Sequence, residues 1–498
     1  MGTASYWNSP CARQNVLTRP ASEPSVPGMD PSFSFRQAER CAAAVEELAT
    51  WALTTYAASS DPASSDPATR RRVAAVLIDL WGVTVAGMGT PEMARLLAAW
   101  PRPQGTTPLL GTLHSSDPDT VAFLETVAAC MLELDEGNKH AAGHPAAHVV
   151  PAAVAAARLA PVPVPGHRLL AAVVAGYEVA ARFGRATRPH PGWHPHGHWG
   201  ATGAATAAAL VLGADARQVA AAVDSATGLV QVAPWGRVLD GDFTRNLWIA
   251  GASAGGLRAA RLALADLVQN TGVTQHTLGG LVGELDTDLL TAGLGREPLL
   301  VTQGYLKQHA ACSYTHAAVD IIASLRAASP WRVEDVTRVH VRTHSLARPL
   351  LARHPRNRLA AMFSLPFVVA CALANGRVDP STMTPGTPAF EAAEELSERV
   401  VVEVSEDLDI HLPHRRVTEV RVELVDGHTL VLAQPNPVGD ADHFPLDALA
   451  LRHKLQGLVG AERTARIEDT VRALGESPDA VRTLAAMGHL EWPAPSSL

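Results

Sequence analysis

The sequence predicts a mainly α-helical protein with a second, smaller α+β part. A helical region runs over residues 35–304 and an α+β region over 305–444. Helices from 445 to 498 return to the first region. Three observations carry this. The chain has 498 residues, 47% hydrophobic and 18% charged, which is material for a folded protein of about two domains. Apolar residues recur at helical spacing from Phe35 to Gly304. Beyond Tyr305, runs that alternate with period two appear between the helical ones.

Taken in order, residues 1–34 are rich in Ser, Pro and Ala and hold no apolar run, so they read as a disordered leader or an over-called start. They are not a secretory signal, which needs a basic start and an apolar stretch. "AERCAAAVEELATWALTTYA" and "ATRRRVAAVLIDLWGVTVAGM" are helices, joined by a loop around Ser60. "DPDTVAFLETVAACMLELD" is another, opened by Asp117 or Asp119 as its cap. "ATGAATAAALVLGA", "DARQVAAAVDSATGLV" and "AGASAGGLRAARLALA" are small-residue helices whose backbones can approach closely. In the later region "HAAVDIIASLRAA" is a helix and "VEDVTRVHVRTH" a strand. "RLAAMFSLPFVVACALANG" reads as one buried helix, and "RVVVEVSEDL" as a strand. "TEVRVELVDGHTLVLAQ" is a hairpin turning at Asp426-Gly427. "LDALALRHKLQGLVG" and "ARIEDTVRALG" are the closing helices.

Composition excludes several functions. A net charge of -8 with no basic stripe argues against nucleic acid as a partner. No window holds about 18 consecutive apolar residues, so no membrane span is expected, and the cytoplasm is the expected location. Cys11, Cys41, Cys130, Cys312 and Cys371 are scattered without a CxxC, which leaves structural zinc and iron–sulfur clusters unsupported. No nucleotide fingerprint occurs: "GASAGG" follows no strand and no GK[ST] comes after it. The expectation is a protein without metal or cofactor. Of the 41 basic residues only Lys139, Lys307 and Lys454 are lysine, so each is a departure from the chain's habit.

Four clusters could carry chemistry. "ELDEGNKHAAGHPAAHVVPAA" places Glu133, Asp135, Glu136, Lys139, His140, His144 and His148 between two helices. Pro145 puts His144 ahead of the second helix rather than on it, which disfavours a metal pair with His148. "RPHPGWHPHGHWGATGAA" brings His190, His194, His196 and His198 to the start of a small-residue helix, where the dipole favours a carboxylate. "GDFTRNLWIAGASAGGLRAA" carries Arg245. "GYLKQHAACSYTHAAVD" carries Lys307, His309, Cys312 and His316 at the junction of the two regions, where pockets form. A lysine in an arginine-rich chain suggests that a compact ammonium is needed there.

At these residues the sequence resembles the MmgE/PrpD family, which includes 2-methylcitrate dehydratase, cis-aconitate decarboxylase and some epimerases. The resemblance runs from about residue 36 to 490 through "LIDLWGVTVAG", "LELDEGNKHAAGHPAAHVVPAAVAAA", "AGYEVAARFGRA", "TRNLWIAGASAGGLRAARLALA", "LKQHAACSYTHAAVD" and "MFSLPFVVACALANG". It implies an all-helical domain and a smaller α+β domain with the active site in the cleft between them, and a homodimer. It places the active-site acid at Glu133 with Asp135 beside it and a histidine at His144. A second histidine falls at His194, with His196 and His198 as alternatives, and a lysine at Lys307. Arg245 stands where the family has a lysine, Gly137 where decarboxylase-like members have a threonine, and Cys312 where they have a histidine.

The implied chemistry is loss or exchange of a proton on carbon next to a carboxylate, which needs cations preorganised at that carboxylate. His144, His194, Lys307, Glu133 and Asp135 are the expected catalytic residues. Arg245, Lys139, Cys312 and His316 are the expected substrate-binding residues. The first expectation is a hydro-lyase acting on a small hydroxy-polycarboxylate such as 2-methylcitrate. An isomerase or epimerase, a decarboxylase of a cis-aconitate-like acid, and a non-catalytic binding protein are the alternatives.

Overall fold

The structure, a computed structural model, describes residues 31–59, 66–194 and 197–488. The expected leader up to residue 30, most of the loop around Ser60, and His196 lie outside these residues.

The fold is mainly α-helical, with small sheets. The first helix, Pro31–Ala58, opens on a proline rather than at Phe35. Proline suits a helix start because the missing N–H has no helical partner there. Asp66 caps Pro67–Met88. Asp117, not Asp119, caps Pro118–Ala129 by accepting from the Thr120 N–H. Asp215 closes a capping box with Gln218 on Ala216–Ala226.

Pro145–Leu159, Gly166–Ala186, Gly200–Val211 and Thr244–Leu264 pack against one another. Their small residues permit this. A Cβ at Gly176 would lie 2.6 Å from the Gly203 carbonyl oxygen, and one at Gly203 would lie 2.3 Å from the Gly176 oxygen. Any larger residue would force these two backbones apart.

The later region holds a four-stranded sheet in the order Val400–Val404, Val336–Thr343, Thr418–Leu424, Thr429–Gln434. The first pair is parallel and the others antiparallel. The expected hairpin is present, with Gly427 at φ 88° in its turn. Helix His316–Ala328 packs on the last two strands, and Val339, Val341, Val420 and Val422 are buried.

Two expectations are corrected here. "RVVVEVSEDL" is a strand only over Val400–Val404, and Glu406–His411 is a 3₁₀ turn. The single buried helix expected around Phe363 is two, Arg358–Met362 and Leu365–Asn375. Ser364 caps the second through the Phe367 N–H, and Pro366 in its first turn cannot donate back to the preceding turn. The break leaves Phe363 between the helices.

Helices Ala448–Val459 and Ala461–Leu474 pack against Pro67–Met88. Lys454 Nζ donates to Asp79 Oδ1 at 2.5 Å and to the Leu134 carbonyl at 3.0 Å. The side chains of both Lys454 and Asp79 are buried. Among the described residues no single helix is long and apolar enough to cross a membrane.

Removing one member of a buried ion pair strands the other charge, whereas replacing both with apolar residues is tolerated. Lys454→Met should cost about 3–5 kcal/mol, and adding Asp79→Leu should recover most of it. Urea unfolding of the parent, single and double variants measures this. A single variant as stable as the parent would show that the pair does not hold the helix.

Candidate active site

Helix Pro118–Ala129 stops six residues short of the end expected from its apolar pattern, and helix Pro145–Leu159 starts with His144 as its N-cap residue. Between them, residues 130–144 form an irregular, buried loop. It is stapled from within and without. Asn138 N–H donates to the Gly143 carbonyl at 2.8 Å, and Asn138 Nδ2 to the Leu300 carbonyl at 2.7 Å. Gly137 and Tyr305 exchange both backbone hydrogen bonds, at 3.1 and 2.7 Å. Glu133 and Ala142 sit at φ 50° and 52°. Left-handed backbone at a non-glycine residue costs roughly 1–3 kcal/mol and persists only where the surroundings impose it.

Inside this loop the charges pair. Glu133 Oε2 accepts from Lys307 Nζ at 2.9 Å. Arg245 Nη2 touches Glu133 Oε1 at 2.5 Å, off the hydrogen-bond direction. Burial alone would push the Glu133 carboxyl up, but Arg245 and then Lys307 outweigh it and hold it below its usual range. Asp135 Oδ1 lies 3.9 Å from Lys307 Nζ. Burial would raise its carboxyl as well, and His144, Lys307 and Arg245 keep it low.

His144 Nδ1 lies 2.6 Å from the Glu136 carbonyl oxygen and 3.1 Å from Asp135 Oδ2. Two acceptors at one nitrogen assign the ring proton to Nδ1, which makes Nε2 the basic nitrogen of the neutral ring. Burial lowers the His144 pKa, and Asp135 opposes it without reversing it. The ring is therefore a neutral base at pH 7.

Beside this cluster lies a narrow cavity of about 40 Å3. Glu133, Lys139, His144 and His194 line it from the first part of the chain, and Lys307, Cys312, Phe363 and Arg416 from the second. His194 packs its ring on Trp235 at 4.3 Å, and burial holds its pKa well below the usual value. Cys312 is buried, which pushes its thiol up to about 11.

Other expected residues sit elsewhere. Asp135 and Arg245 do not line the cavity; they stand behind His144 and Glu133. Arg245, expected at the substrate, is fully buried against the acid instead. Lys139 lines the cavity, but its Nζ is taken by Asp440 at 2.9 Å and by Asp442. His316, also expected at the substrate, turns away: its Nε2 meets the Ala311 carbonyl at 3.0 Å and its ring meets His309. His198 is buried away from the cavity, and His148 packs on Trp199. Among the described residues no three His, Cys, Asp or Glu side chains group to hold a metal ion.

Two further lining residues, Tyr305 and Arg416, carry little or no mark in the sequence. Tyr305 donates its hydroxyl to Ser313 Oγ at 3.1 Å and lines the cavity. Its signal was only its place beside Lys307. Arg416, one arginine among many, gave none.

The sequence matches the MmgE/PrpD N-terminal domain over residues 51–285 and the MmgE/PrpD C-terminal domain over residues 309–476. This chain belongs to the MmgE/PrpD family. Among curated relatives, a protein named "Cis-aconitate decarboxylase" from Aspergillus terreus is 25% identical over 421 residues, 76% of this chain and 82% of that protein. "Cis-aconitate decarboxylase-like protein oryM" from Aspergillus oryzae is 26% identical over 426 residues, 77% of this chain and 85% of that protein.

Within this family, the Gly137 position has a physical reading. A Cβ there would lie 2.4 Å from the Tyr305 ring. The threonine that the resemblance implies for decarboxylase-like members would fit this backbone only with Tyr305 displaced.

Glu136 gives a test of the loop's electrostatics. Burial pushes its carboxyl up to about 8, against the Tyr177 hydroxyl that donates to it. An unfolded glutamate titrates near about 4.3. The native state thus holds a proton that the unfolded chain has lost, and stability falls as pH rises from that value to about 8. Glu136→Gln should flatten this slope and be the more stable protein at pH 8. Urea midpoints from pH 5 to 8 measure it, and parallel slopes in parent and variant would contradict the raised pKa.

Proposed function

We propose that this protein is a cofactor-independent lyase that removes a proton beside a carboxylate of a small hydroxy-polycarboxylate, such as 2-methylcitrate, and expels water. The observation that carries this reading is His144. Its Nδ1 proton is fixed by Asp135 and the Glu136 carbonyl, its ring is neutral, and it stands on the wall of a cavity that also presents the Lys307 ammonium.

A carbon acid next to a carboxylate is weak because its conjugate base piles charge onto an anion. Lys307 meets this charge. One of its three N–H donors goes to Glu133, and the ammonium stays protonated because Glu133 and Asp135 overcome the effect of burial. His144 takes the proton, and Asp135 steadies the imidazolium that forms. The departing hydroxyl needs one proton, which is the one His144 has gained. Returning it releases water and restores the base. Glu133 positions Lys307, and Arg245 compensates the rest of the Glu133 charge.

The names of the relatives favour a second reading, decarboxylation of a cis-aconitate-like acid. There a proton from solvent, relayed through His144, would go to the carbon that loses carbon dioxide. Gly137 and Cys312, which differ from decarboxylase-like members, favour the first.

Proton NMR of the protein with 2-methylcitrate, cis-aconitate and simple dicarboxylates in deuterated water separates water loss, carbon dioxide loss and bare proton exchange. Water loss from 2-methylcitrate is the expected outcome. No change in any acid would leave a binding protein. Lys307→Arg should fold normally by circular dichroism. It should lose about 100-fold in kcat/KM, roughly 2.7 kcal/mol, because a planar, longer cation misplaces the charge. Activity close to the parent's would make Lys307 a purely structural partner of Glu133.

A further inference from the structure

We infer that Arg416 is a substrate-binding residue that takes a second carboxylate of the acid, away from the reacting carbon. This rests on the polycarboxylate reading above and assigns a residue that the reading does not use.

Arg416 lines the same cavity as His144 and Lys307 and is 3% exposed. Its guanidinium is held but not satisfied. Nη1 donates to Ser313 Oγ at 3.1 Å, and the group lies over the Tyr305 ring at 4.7 Å. Nε and Nη2 are buried and have no hydrogen-bond partner. The acid beside it, Asp440, stays 3.7 Å from Nη2, beyond hydrogen-bond reach. Both Asp440 oxygens accept from Lys139 Nζ, at 2.9 and 3.2 Å. Asp440 Oδ1 also accepts from the Asp442 N–H at 3.0 Å.

The position is rigid as well. The Arg416 backbone N–H donates to the Pro435 carbonyl and to Asn436 Oδ1, both at 2.9 Å, just ahead of strand Thr418–Leu424. A buried cation with two unmet donors is costly to keep unless something meets them. Two N–H groups in a fixed fork match the two oxygens of a carboxylate. Ser313 joins this cation to Tyr305, since its hydroxyl oxygen accepts from both. Burial raises the Tyr305 hydroxyl pKa, and Arg416 and Lys307 both oppose the rise, so both cations act near this one ring. A ligand with two carboxylates would meet the fork of Arg416 and the point charge of Lys307.

The test uses tricarballylate, a tricarboxylate with neither hydroxyl nor double bond, which cannot react. Calorimetric titration compares the full-length parent with Arg416→Gln and Arg416→Lys, with circular dichroism and thermal midpoints as folding controls. Arg416→Gln is expected to bind about 100-fold more weakly, and Arg416→Lys, which keeps the charge but loses the fork, about 10-fold more weakly. If Arg416→Gln fails to fold, Arg416→Lys decides. Affinities within threefold of a parent that binds would overturn the inference and leave the polycarboxylate reading standing. A parent that binds neither tricarballylate nor 2-methylcitrate nor cis-aconitate would end that reading, and the inference with it.

Discussion

The buried carboxylates of the Glu133–Glu136 loop are the constraint on which the site depends. A carboxylate taken out of water must be paired or give up its charge. Glu133 is paired twice, by Lys307 and Arg245, and stays ionised. Asp135 is paired with His144 and stays ionised. Glu136 accepts from a hydroxyl and a backbone N–H, which with Arg72 nearby do not offset its burial, and its carboxyl rises. Three neighbouring acids thus hold different protonation behaviour through their partners alone. The two cations on Glu133 come from distant chain, and the loop is also held by residues near 305, 440 and 454. The left-handed backbone at Glu133 is the local cost of that convergence.

The same arrangement defines the base. A histidine in an apolar pocket would be neutral but free to choose its tautomer. Here the Glu136 carbonyl and Asp135 claim Nδ1 together. Asp135 is poised to stabilise the cation when it forms, while Lys307 keeps Asp135 from taking the proton itself. Acid, base and ammonium therefore lie within one network, and a change at one member moves the others.

Much of this was legible in the sequence, for definable reasons. The polar segment from Glu133 to His148 stood out because it interrupts two apolar helices. Lys307 stood out because lysine is rare in this chain. What could not be read was direction. Arg245 and Lys307 are equally cationic in sequence, yet one lies behind the acid and the other on the cavity wall. His194 and His198 share one motif, yet only the first lines the cavity. Phe363 was hidden in a continuous apolar run, although Pro366 was the available sign of a break. Lys454 sits in a pattern that reads as an exposed helix face, and nothing local says that it reaches back to Asp79 and Leu134.

Lys454 completes a pattern. Every lysine of the chain makes a contact in the 133–139 loop: Lys139 belongs to it, Lys307 meets Glu133, and Lys454 meets Leu134. Their side chains are 0%, 1% and 3% exposed. All the other basic residues are arginine, so the folded surface carries positive charge but no lysine amine. An amine-acylating reagent, or an enzyme that modifies lysine, meets no reactive ε-amine until the loop's ion pairs open. Acylation of the three lysines, mapped peptide by peptide, would read out the opening of that loop with almost no background from the rest of the molecule.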